Sequence, residues 1–81
     1  MSIRIEIEDV VLRVFDTLDS AVFAERAILR TRSQKCSTVP FRGGFVILCG
    51  DTVYDCDGRI PAQTSEMVIR ECASSGRMVI I

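Results

Sequence analysis

The chain has 81 residues, 48% hydrophobic and 26% charged, with a net charge of −1. That balance excludes a disordered polymer and a strongly cationic nucleic-acid coat, and it fits one globular domain spanning 1–81. Histidine is absent, which removes Ser–His and Cys–His nucleophilic pairs, imidazole acid–base work and histidine-held metals.

Taken from the N-terminus, Ile3, Ile5 and Ile7 alternate with Arg4, Glu6 and Glu8, the period of a half-buried strand. Val10, Leu12 and Val14 continue the alternation with shifted parity. A two-residue connection at Glu8-Asp9 restores a single apolar face by pairing Ile7 with Val10, Ile5 with Leu12 and Ile3 with Val14. One long strand bulged near Asp9 is the alternative, because Glu-Asp lacks the chemistry that tight hairpins prefer.

Asp16, Thr17, Asp19 and Ser20 are cap candidates for a helix over AVFAERAILRTR, with acids at its start and arginines at its end. At 100° per residue, Phe23, Ala24, Ala27, Ile28 and Thr31 share one face, the expected buried one. The small residues at 21, 24 and 27 allow close approach to a sheet. Residues 33–40 predict a loop and a short edge strand limited by Pro40.

A turn at Gly43-Gly44 leads into the strand GFVILC, and Gly50-Asp51 turns the chain into TVYDC. This register places Phe45, Ile47, Cys49, Thr52, Tyr54 and Cys56 on one face, with Val46, Leu48, Val53 and Asp55 on the other. Pro61 opens a second helix to about Ser75, with a stripe of Val68, Ile69, Cys72 and Ala73 and Gly76 as its C-terminal stop. RMVII, 77–81, predicts a closing strand.

The resulting order, β(β)αββαβ, predicts an α+β fold: a mainly antiparallel sheet of four to five strands in ferredoxin-like order, both helices on one face. The other face would then be open, with Val46, Leu48 and Val53 uncovered. Apolar patches of that kind mark interfaces, and a homodimer through this face is the plainest use.

Three motifs are weighed and set aside. FRGGFVIL shares a basic residue, a glycine and a Phe-Val pair with the RNA-reading octapeptide of RRM domains. It lacks that motif's first stacking aromatic and has Leu48 in place of the last. Asp55, Asp57 and Gly58 resemble the middle of a calcium loop, but Val53 and Thr64 occupy its end positions. Cys36, Cys49, Cys56 and Cys72 lack the close pairs of structural zinc sites. No cofactor or metal is expected, and the cysteines are expected to be reduced thiols packed as small hydrophobes.

No catalytic fingerprint appears, so the expected function is non-catalytic protein binding. Arg26, Arg30, Arg32, Lys35 and Arg42 form a tract with no acid among them. They are the expected rim of a partner interface centred on Val46, Leu48 and Val53. The class of small phage- or mobile-element-encoded inhibitors, anti-CRISPR proteins among them, matches in size and in lacking catalytic residues. The alternatives are nucleic-acid binding through the tract 26–42 and a self-assembling structural subunit. With no apolar run of the ~20 residues a membrane span requires and no signal-peptide core, a cytoplasmic, non-membrane protein is expected.

Overall fold

The computed structural model describes residues 2–75. The elements are β1 (Ser2–Ile7), β2 (Val10–Phe15), α1 (Leu18–Arg32), β3 (Ser37–Phe41), β4 (Gly44–Cys49), β5 (Thr52–Asp55), β6 (Gly58–Arg59) and α2 (Ala62–Ser75). Among the described residues all strand pairs are antiparallel, giving an α+β fold with a six-stranded sheet and two helices. The expected last strand, 77–81, and Gly76 lie outside the described residues.

The N-terminal hairpin turns at Glu8-Asp9 and pairs Ile7 with Val10, Ile5 with Leu12 and Ile3 with Val14. The hairpin alternative therefore holds over the bulge. Glu8 takes φ 53 to close the turn, a left-handed conformation that an L side chain adopts at a cost.

β4 organises the sheet. Phe45 pairs with Pro40 of β3 on one edge and with Phe15 of β2 on the other. Farther along that second edge, Ile47, Leu48 and Cys49 pair with Tyr54, Val53 and Thr52 of β5, in the expected register. β2 and β5 thus share one edge of β4, and the Cys56 amide donates to the Arg13 carbonyl at 2.8 Å where they meet. Among the described residues the strand order is β1-β2-β4-β5-β6, with β3 on the far edge of β4, which does not confirm the expected ferredoxin-like order.

The helices lie on opposite faces of this sheet, which corrects the expected placement of both on one. Val68 and Cys72 of α2 share a buried cluster with Leu12, Val14, Val39, Phe41, Val46 and Val53. Ala21 of α1 joins Phe15, Ile47, Cys49 and Tyr54 in a second cluster, with Ala24 and Ile28 packed against it. The connection to α2 explains its side. The Ile60 amide donates to the Val53 carbonyl at 3.0 Å, and the Val53 amide donates to Ser65 Oγ at 3.1 Å. These bonds tie the start of α2 to β5 and satisfy backbone groups that would otherwise be buried without partners. Thr64, Ser65, Val68 and Cys72 are its buried side chains, while Ala73, expected in the stripe, is exposed.

The turn after β3 sits one residue earlier than expected. Arg42 (φ 47) and Gly43 (φ 85) form it, a pairing of positive dihedrals that suits a two-residue hairpin. Gly44 is already in β4, opposite Phe41. A Cβ there would lie 2.6 Å from the Phe15 carbonyl oxygen and 2.6 Å from Val14 Cγ2. Gly44 serves close packing of β4 against β2, not chain reversal.

Cys36 and Cys49 form a disulfide across a sequence separation of 13. Both had been expected as reduced thiols; the loop 33–36 returns beneath α1 and brings Cys36 to the buried end of β4. The reduced-thiol expectation leaned on a cytoplasmic setting, and the Cys36–Cys49 bond departs from it. No described helix is long and apolar enough to cross a membrane.

Candidate functional site on the outer face of α1

The expected interface core is not a surface. Val46 and Val53 are fully buried and Leu48 is half-buried against the same cluster, because α2 covers them. The homodimer expected through this face loses its contact area for the same reason.

The basic tract is divided. Arg42 is drawn to α2, where Nε and Nη2 donate to Glu71 Oε2 and Oε1 at 3.0 and 2.7 Å, and its guanidinium lies 5.3 Å from the Phe41 ring centroid. The bidentate bond raises the Arg42 pKa and holds the Glu71 carboxyl below its ordinary value. Arg42 and Glu71 border a groove of about 640 Å³ along Phe41, Phe45 and Cys72, and their charges are spent on each other. Arg32 bends over the Tyr54 ring at 5.9 Å. Arg26, Arg30 and Lys35 are exposed, and none of them forms an ion pair with another described residue.

Arg26 and Arg30 flank an apolar feature on α1 that includes Phe23, a residue expected on the buried face and found outside it. Phe23 is 72% exposed and Leu29 52% exposed, with Leu18 also exposed near the helix start. Thr17 caps the helix by accepting from the Ser20 amide at 3.2 Å, and Ser33 ends it in a left-handed conformation, its amide donating to the Leu29 carbonyl. Between these caps Ala21, Ala24 and Ile28 form the ridge against the sheet. Glu25 braces the helix to β3 by accepting from Thr38 Oγ1 at 2.6 Å.

The physical reason for the rotation is distance. An alanine ridge lets the helix backbone lie close over Ile47, Cys49 and Tyr54, whereas a phenylalanine there would hold it off. The spacing 21, 24, 28 was the signal: small residues followed by one β-branched side chain, at helical intervals. On the outer face Phe23, Arg26 and Arg30 follow one another at i, i+3 and i+7, with Val22 and Leu29 along one side. This is an apolar strip lined by cations.

The acidic end is self-contained. Asp55 is buried and accepts from the Arg13 amide at 2.9 Å and from the Asp57 amide at 2.9 Å, while Asp57 pairs with the Arg13 guanidinium at 3.4 Å. Among the described residues no three cysteine or carboxylate side chains converge as metal ligands would. Partial burial and the neighbouring Asp55 carboxylate push the Cys56 thiol up, and burial pushes up Cys72, so neither is primed as a thiolate.

Compared with known proteins, the chain matches no family model, no curated protein and no solved structure.

Proposed function

We propose that the protein is a non-catalytic binding module that docks on a protein partner through the outer face of α1. The observation that carries this reading is Phe23, a large apolar side chain 72% exposed on a helix whose packing ridge is already complete. Leaving a phenylalanine in water forgoes roughly 1.5–3 kcal/mol of burial. Aromatic anchors flanked by arginine are the composition of interface hot spots. The complementary surface is an apolar groove rimmed by carboxylates, which would receive Phe23 and Leu29 and neutralise Arg26 and Arg30.

Such a module acts by occlusion, occupying a surface that a larger protein or nucleoprotein complex needs. Phage- or mobile-element-encoded inhibitors of the anti-CRISPR kind work in this way, and the proposal extends to that role. Affinity capture from the native host tests it, run in parallel with wild type, Phe23→Glu and Leu29→Ser. A partner retained by wild type at moderate salt and lost by both variants supports the reading; equal capture by all three overturns it.

The second reading is nucleic-acid binding by the same face, favoured by the exposed aromatic beside unpaired arginines, a combination that stacks bases and holds phosphates. Its mark is affinity that falls steeply with salt and disappears on charge reversal at Arg26 and Arg30.

A further inference from the structure

Beyond α1, the described residues leave the outer edge of β1 without a partner strand, and the sequence of β1 has a self-complementary pattern. Among the described residues β1 pairs with β2 alone and ends the strand order. Its six residues, SIRIEI, contain neither proline nor glycine and no bulge, so nothing in the strand blunts this edge except its charges.

The hairpin register determines which backbone groups are free. Ile7 and Val10 close the two-residue turn, so Ile7, Ile5 and Ile3 direct their N–H and C=O groups toward β2. Arg4 and Glu6 direct theirs outward. A second β1 can therefore add antiparallel only in registers that set outward residues opposite outward residues.

Charge chooses among those registers. Centring the pair on Arg4 sets Arg4 against its own copy, and centring on Glu6 sets Glu6 against its copy. Centring on Ile5 sets Arg4 opposite the copy's Glu6 and Glu6 opposite the copy's Arg4, each pair exchanging both backbone hydrogen bonds. Opposite charges directly across strands stabilise pairing and like charges oppose it. The same register sets Ile5 against its copy and Ile3 against the copy's Ile7, on the face where Ile3 and Ile5 are only half-buried. Arg4 and Glu6 are exposed on the other face, where each already approaches the other at 3.4 Å within the strand.

We propose that two copies of this chain associate through β1, antiparallel and centred on Ile5, making one continuous sheet across a two-fold axis. A two-fold contact is isologous, and a strand carrying + and − two residues apart matches itself under that symmetry. The partner is a second copy, and the surface lies apart from the α1 face.

Sedimentation of the full chain over a wide concentration range, at low and moderate salt, tests this. Wild type is expected to dimerise. Arg4→Glu and Glu6→Arg each set like charges opposite one another on both sides of the axis, and each is expected to weaken the dimer at least tenfold. The double variant, R4E with E6R, restores opposite charges and is expected to regain the dimer. Both sites are exposed, so circular dichroism should show all three variants folded. A wild type that stays monomeric at the highest concentration overturns the proposal. So does a dimer unaffected by the single variants, or one lost instead with Phe23→Glu, which would place the contact on α1.

Discussion

Val46 and Ile47 are consecutive residues of β4, yet they belong to different cores. Val46 packs beneath α2 with Val53 and Val68, and Ile47 packs beneath the α1 ridge with Cys49 and Tyr54. Successive side chains of a strand point to opposite faces, so a strand covered on both faces must be apolar at every position. The expected consequence is that neither position tolerates change. Val46→Ala should cost about 2–3 kcal/mol and Val46→Asp should prevent folding, read as denaturation midpoints in urea. An aspartate tolerated at 46 would mean that α2 does not cover this face.

The same pair shows what was legible in the sequence. The parity of β4 and β5 and the turn at Gly50-Asp51 follow from alternation and β-propensity, and the hairpin register follows from the parity switch at Glu8-Asp9. The side on which α2 lands depends on the short return through Gly58, Ile60 and Pro61, where no periodicity operates. A clue was present: Phe45, Val46, Ile47 and Leu48 are apolar without interruption, the pattern of a strand buried on both faces. For α1, apolar residues surround the helix, so period alone could not choose between the alanine ridge and the Phe23 face. The Cys36–Cys49 pairing depends on where an unpatterned loop returns, which spacing does not encode.

Among the described glycines Gly44 should be the least replaceable. Its φ is not in the left-handed region, so the constraint is space: an added Cβ would meet the Phe15 carbonyl oxygen, a backbone atom that cannot swing aside. Gly44→Ala is expected to destabilise by roughly 1–3 kcal/mol through overpacking and loss of the β2–β4 contact. By contrast, Glu8→Gly relieves a left-handed glutamate and should leave stability unchanged or raise it by up to about 1 kcal/mol. Thermal melts of the two variants should move in different directions or, at the least, by very different amounts.

The Cys36–Cys49 bond closes a short loop that holds β3 and the end of β4 beneath α1. Closing a loop of this size stabilises by about 3 kcal/mol through the unfolded chain. Chemical reduction, or the double change Cys36→Ala with Cys49→Ala, should lower the melting temperature by several degrees. Cys56→Ser, at an exposed and unbridged cysteine, should leave it nearly unchanged. Equal melting before and after reduction would show that the bond contributes nothing to stability.

Arg42 and Glu71 supply the pH dependence. The folded Glu71 carboxyl lies below its unfolded value because Arg42 donates to its charged form. A carboxylate depressed in the folded state stabilises fully above its unfolded pKa, near 4.5, and loses that contribution as pH falls through the folded value. Both side chains are more than a third exposed, so solvent screening reduces the effect to about 1 kcal/mol or less. Glu71→Gln should therefore melt below wild type at pH 7 and converge with it in acid, once the pH has fallen below the folded value and wild type has lost the charge as well. High salt should narrow the gap at pH 7. A gap that persists unchanged into acid would assign the role of Glu71 to packing along α2, with no part for its bond to Arg42.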